Sequence, residues 1–234
     1  MIRTILSALV MLVLISSCNI NCLEGRGDLK TETRLLKSFT KIQLNTDAKV
    51  IITKDTVQSI RVEAQSNIMK VLTTEVSGKW LYIDNDGCLS EHKQITVYIT
   101  TPSFEEIQID GSGSVEGKGS FSGEKIELTI NGSGSMNIGL SANNVYAEVK
   151  GSGNINVSGS ARKFNVDISG SGDVNAQEMP SGVCSVDVRG SGNCRIFAIN
   201  KLAVDIAGSG NVYYKGTPDI TTNINGSGKI EKNK

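Results

Sequence analysis

The amino-acid sequence predicts an all-β protein. Its fold class is a parallel β-helix, or β-solenoid, with coils of about 18–21 residues turning at Gly-Ser-Gly and an irregular β cap on the N-terminal side. Three observations predict it. First, Gly-Ser-Gly occurs seven times, starting at Gly111, Gly132, Gly151, Gly170, Gly190, Gly208 and Gly226, with spacings of 21, 19, 19, 20, 18 and 18 residues. A near-constant period of this size marks stacked repeats. Second, apolar residues alternate with polar ones before every copy. Two residues before stand Ile109, Ile130, Val149, Ile168, Val188, Ile206 and Ile224; four before stand Ile107, Leu128, Ala147, Val166, Val186, Val204 and Thr222. A period of two is a strand with one buried face. Third, two residues after each copy come Val115, Met136, Ile155, Val174, Cys194, Val212 and Ile230, so a second strand leaves each turn.

One strand–turn–strand unit cannot bury its apolar face alone. Stacking places like on like at about 4.8 Å per rung, and the aliphatic residues become internal ladders. The turn must then repeat in every coil, at a place where positive φ is tolerated, and glycine does this without steric cost. The structural turn positions are therefore Gly111 and Gly113, Gly132 and Gly134, Gly151 and Gly153, Gly170 and Gly172, Gly190 and Gly192, Gly208 and Gly210, and Gly226 and Gly228. The serines between them form an outer hydroxyl column.

The elements follow in order. Residues 1–17 read as a signal peptide of the lipoprotein type. Arg3 supplies the positive start, Thr4 to Ile15 is an apolar run too short to span a bilayer comfortably, and Ile15-Ser16-Ser17-Cys18 resembles the bacterial lipobox. Cleavage before Cys18 would leave its thiol and amine for lipidation, which anchors a chain without a spanning helix. Asn19, in place of an aspartate, favours the outer membrane and leaves open which of its faces the protein occupies. Residues 18–33, with Gly25 and Gly27 among charges, read as a flexible tether. Residues 34–103 read as the irregular cap. Within it Phe39-Thr40-Lys41-Ile42-Gln43-Leu44-Asn45 matches Phe104-Glu105-Glu106-Ile107-Gln108-Ile109-Asp110, and Thr46-Asp47-Ala48 reads as a degenerate turn. Residues 104–234 read as the repeat solenoid, closed by the charged run from Lys229 to Lys234 that blunts an open edge.

Composition and motifs exclude several function classes. Lys plus Arg is 24 and Asp plus Glu is 24, so no charge excess draws the chain to nucleic acid. A Ser–His–Asp triad would have to use His92, the only histidine, which sits in the polar stretch Glu91-His92-Lys93 and reads as a solvated loop residue. Gly-Ser-Gly is neither the Gly-x-Ser-x-Gly elbow nor a phosphate-binding loop. Seven equal copies also argue against catalysis. No catalytic residue, cofactor or metal is assigned, and the chain reads as a non-enzyme.

The outward positions carry the candidate binding features. Three residues before successive turns stand Gln108, Thr129, Glu148, Asp167, Asp187, Asp205 and Asn223. In register, Glu148, Asp167, Asp187 and Asp205 form an acidic stripe, with Lys150 and Arg189 beside it. Its plain reading is a hydrated face; its functional reading is a stripe for a cation or cationic ligand. A calcium-binding repeat is not expected, since the residue after each tripeptide is acidic only at Asp173. Tyr213, Tyr214 and Trp80 give thin grounds for glycan stacking. Cys184 and Cys194 fall at inward positions and read as small apolar core residues. Cys22 and Cys88 are free to pair, but nothing in their spacing compels it.

The export signal, the β-rich N-terminal part and the string of turns resemble the head GIN family of autotransporter adhesins, exported lipoproteins of Bacteroides-like bacteria. The copies most like that family are Gly151-Ser152-Gly153-Asn154-Ile155 and Gly208-Ser209-Gly210-Asn211-Val212, and the resemblance covers about residues 35–230. It implies adhesion through a protein or glycan partner, with the membrane reached by the lipid anchor, and it brings no catalytic motif. Two other readings stand beside it: a polysaccharide-active enzyme on a β-helix, using Asp167, Asp187 and Asp205, and an envelope sensor or scaffold acting through a protein partner.

Overall fold

The computed structural model describes residues 22–233; Cys18 and the signal segment lie outside them. The described chain is all β apart from one 3-10 turn at Ile68–Lys70. Its sixteen strands are β1 (Leu29–Arg34), β2 (Lys41–Leu44), β3 (Lys49–Lys54), β4 (Ser59–Gln65), β5 (Leu72–Ser77), β6 (Trp80–Asn85), β7 (Thr96–Thr101), β8 (Glu106–Gly111), β9 (Ser114–Gly132), β10 (Ser135–Gly151), β11 (Asn154–Gly170), β12 (Asp173–Gly190), β13 (Asn193–Gly208), β14 (Asn211–Lys215), β15 (Asp219–Gly226) and β16 (Lys229–Lys232). They make a parallel β-solenoid of about 7 turns.

Each long strand from β9 to β13 is one coil that contributes to two facing layers. The start of β9 pairs with β3 and its end pairs with β8, both in parallel. One layer therefore runs β1-β4-β7-β3, then the leading halves of β9 to β13, then β14 and β16. The other runs β5-β6-β2-β8, then the trailing halves, then β15. Register is held by the turns, since Gly111, Gly132, Gly151, Gly170, Gly190, Gly208 and Gly226 stack in succession. The inward ladders are dry: Ile109, Ile130, Val149, Ile168, Val188 and Ile206 are fully buried. Phe121 and Phe164 are the largest fully buried side chains, and the Phe121 ring lies 4.9 Å from that of Phe104.

The two glycines of each turn are there for different reasons. The first has φ between +123° and +136° in all seven turns, a conformation that L side chains rarely adopt. The second has no positive φ but no room. A Cβ on Gly153 would lie 2.6 Å from Ile130 Cγ2 and 2.8 Å from the Gly134 carbonyl oxygen. Between them, from the second Gly-Ser-Gly onward, each serine N–H donates to the carbonyl of the first glycine of the previous coil, as Ser152 does to Gly132 at 2.9 Å. The turn backbone is thus hydrogen-bonded along the stack, while the serine side chains face water.

The N-terminal part follows the sequence reading in one respect and departs from it in another. As the match of residues 39–45 to 104–110 requires, β2 and β3 continue the coil in register with β8 and β9, with Leu44 on Ile109 and Val50 on Val115. β6 and β7 add another rung beyond them. β1, β4 and β5 pair only antiparallel, β4 on β7 and on β1, and β5 on β6, and they finish that end. The described part of the expected tether, however, is not free. Cys22 is disulfide-bonded to Cys88, the Leu23 N–H donates to the Cys88 carbonyl at 2.8 Å, and β1 pairs with β4 along its whole length. Asn67 ties the intervening stretch through Arg26 N–H and the Glu24 carbonyl, both at 2.7 Å. Hydrophilic composition hid this segment, because an edge strand has no core pattern to show.

Candidate binding surface

The trailing layer presents one long outer face. On it the acidic column forms as the spacing requires: Glu148 lies opposite Asp167, Asp167 opposite Asp187, and Asp187 opposite Asp205. Stacked like charges repel, and neighbours offset this. Lys150 pairs with Glu148 at 2.8 Å. Arg189 pairs with Asp187 at 2.6 Å and reaches Asp167 at 3.4 Å. Asn223 caps the column by donating to Asp205 at 3.0 Å. Partial burial, and then the Asp167 and Asp205 charges, still push the Asp187 carboxyl above its ordinary value against the pull of Arg189. Beside the column, burial and then the Glu148 and Asp167 charges push the Tyr146 phenol up to about 12. Among the described residues, no group of three His, Cys, Asp or Glu side chains is placed to hold a metal ion.

The same face continues into the N-terminal rungs. Gln108 lies on Gln43, and Gln43 lies on Tyr82. One column over, Glu106 lies on Lys41 and Lys41 on Trp80. Lys41 pairs with Glu106 at 2.8 Å while its ammonium sits 5.1 Å from the Trp80 ring centre. That hydrogen bond to Glu106 holds the lysine above its usual pKa. Trp80 and Tyr82 lie side by side, with ring centres 6.2 Å apart. Asp110 accepts from Gln43, Gln108 and Asn131, each at 2.7 Å, and so freezes the polar side chains between the aromatic pair and the acidic column. The face therefore runs from aromatic at one end to acidic at the other.

Sequence reasoning did not place Trp80 and Tyr82 on this face. The alignment of residues 39–45 with 104–110 extends to Lys79-Trp80-Leu81-Tyr82-Ile83, and that signal would have found them.

The opposite face is an amide ladder. Asp173 accepts from the Asn193 backbone at 2.8 Å and side chain at 3.0 Å, and Asn211 donates to Asn193 at 3.0 Å. These residues satisfy one another along the stack. Tyr213 packs on this face with the Arg195 guanidinium 5.2 Å from its ring centre, and Tyr214 packs partly against the core.

The histidine reading needs correction. The His92 side chain is only 8% exposed, because Gly25 and Gln65 pack over it. Its Nε2 lies 3.1 Å from Asp47 and its Nδ1 lies 2.8 Å from the Lys93 carbonyl. Both ring nitrogens are thus engaged, one with the turn between β2 and β3 and one with the neighbouring backbone, and neither faces a serine. Cys184 and Cys194 are free and buried. Burial pushes the Cys184 thiol up to about 12 and raises Cys194 as well, so neither supplies a thiolate.

The family model described as "Putative auto-transporter adhesin, head GIN domain" matches residues 38–218, most of the chain. The chain belongs to this family. Several solved structures share this fold. A "putative adhesin" from Bacteroides fragilis superposes with a TM-score of 0.86 at 21% identity, over 90% of this chain and 100% of that one. A "putative lipid binding protein" from Parabacteroides distasonis gives 0.77 at 22% identity, over 92% and 100%. A "putative adhesin" from Parabacteroides merdae gives 0.71 at 18% identity, over 91% and 99%. Identities this low speak for the fold. Comparison with curated proteins finds no match.

Proposed function

We propose that this head GIN protein is a non-enzymatic adhesin. It is exported by its first 17 residues and lipid-anchored at Cys18, in the outer membrane. It holds a ligand on the face that runs from Trp80 and Tyr82 to Asp205. One observation carries the reading: two adjacent aromatic rings, a fixed row of amides and carboxylates, and the acidic column share one continuous rigid surface. Aromatic faces stack on sugar rings, and pre-ordered polar groups bind hydroxyls with little loss of entropy. That combination fits a glycan chain laid along the solenoid axis. A scaffold of this kind lengthens its binding surface by one rung per coil without a new core.

Binding of the purified mature chain to an array of host-type glycans and matrix proteins tests this. The proposal expects glycan binding that falls by about tenfold or more when Trp80→Ala and Tyr82→Ala are combined. Equal binding by wild type and double variant would sink it. The rival enzyme reading rests on Asp187, whose raised carboxyl stands between two other carboxylates. Release of reducing sugar, lost in Asp187→Asn, would favour that rival instead.

A further inference from the structure

The exposed apolar side chains of the described residues are not evenly spread. Four of the eight large ones, Leu29, Leu35, Leu36 and Val57, lie at the end of the solenoid finished by β1. Leu35 is 96% exposed and Val57 69%. Leu35 and Leu36 occupy the loop that leaves β1, and Val57 the turn between β3 and β4. Gln58 binds the two together, accepting from the Phe39 N–H at 3.1 Å and donating to the Phe39 carbonyl at 2.9 Å. Lys37 is exposed beside them and Lys30 at the other end of β1, while Lys54 is turned to the Ser120 carbonyl at 3.0 Å and Asp55 stands in the Val57 turn. At the other end, Ile220 and Ile224 are exposed for a simpler reason: they belong to the inner ladder of the last coil. Leu35, Leu36 and Val57 belong to no ladder.

The Cys22–Cys88 disulfide lies at the same end. Cys22 is locked to Cys88, so only the stretch from Cys18 to Cys22 separates a lipid on Cys18 from the folded body. Fully extended, it spans about 14 Å. β1 then runs for about 17 Å from Leu29 to Arg34, from the disulfide side of this end to the Leu35 side. A surface that reaches both sides lies along β1.

We infer that the β1 end of the solenoid rests on the lipid bilayer, with Leu35, Leu36 and Val57 in the interface and Lys30 and Lys37 against headgroup phosphates. This rests on lipidation of Cys18. Exposed apolar side chains with lysines at both ends of the same edge strand suit that boundary, because the leucines enter the acyl region while the ammonium groups stay wet. The coils then stack away from the membrane, and the binding face stands perpendicular to it.

Lipid-processed full-length protein decides the point. It carries Trp80→Phe and one new reporter, Leu36→Trp or Ile224→Trp, in phosphatidylethanolamine–phosphatidylglycerol vesicles with brominated acyl chains. Intact mass first establishes the lipid on Cys18. Emission from Leu36→Trp should fall by about half or more, as for a group at interfacial depth, while Ile224→Trp stays unquenched. Protein that carries the lipid and floats with the vesicles, yet leaves Leu36→Trp unquenched, overturns the seating alone. A mass without lipid overturns the anchor and the seating together.

Discussion

Gly170→Ala destabilises the fold by about 3–5 kcal/mol, whereas the same change at Gly111 costs about 1–2 kcal/mol. Both glycines open a Gly-Ser-Gly turn, with φ of +132° and +123°. Both therefore charge an alanine for its backbone conformation. Only Gly170 stacks on a glycine turn beneath it. A Cβ there meets the Gly151 carbonyl, with the Gly151 carbon at 3.1 Å and its Cα at 3.2 Å. All of that is backbone that cannot swing aside without breaking the bonds from Ser171 and Gly172 to the Gly151 oxygen. At Gly111 a Cβ meets nothing within 4 Å. The difference between the two variants in urea unfolding thus isolates the cost of close stacking from that of positive φ. Equal losses would mean that the turns are glycine for conformation alone.

Removing the disulfide with Cys22→Ser and Cys88→Ser costs about 4 kcal/mol of stability by the chain-entropy relation for a cross-link between residues 66 apart. The loss has a second, local sign. The disulfide holds the stretch in which Leu23 and Gly25 bond to residues 88–91 and Gly25 packs on His92. Without it, cleavage by trypsin at Arg26 should become fast while the coils beyond β8 stay resistant. A double variant that unfolds at the wild-type urea midpoint, with Arg26 still protected, would contradict both effects.

The solenoid was legible because every coil repeats one pattern. A fixed offset from each turn places Glu148, Asp167, Asp187 and Asp205 in one column, and mere counting finds it. What breaks the pattern was not legible. The coil holding β6 and β7 turns through residues 86–94, where no Gly-Ser-Gly marks its register, so only the likeness of residues 79–83 to 40–44 pointed to Trp80 and Tyr82 on the acidic face. β1 reads as a polar tether because Lys30, Glu32 and Arg34 occupy the positions opposite Ala64, Val62 and Ile60. Charges on that side of an edge strand discourage further pairing, and they also remove the alternation by which strands are recognised. His92 looked solvated because its cover comes from Gly25 and Gln65, distant in sequence.

The proposed adhesin, anchored at Cys18, has to face outward to meet a partner, so protease shaving of intact cells, followed by immunoblotting for this protein, is the most direct test. The account predicts loss of the full-length band from intact cells while a periplasmic marker survives. Full protection until lysis would contradict it, and would leave a periplasm-facing scaffold that acts through an envelope partner.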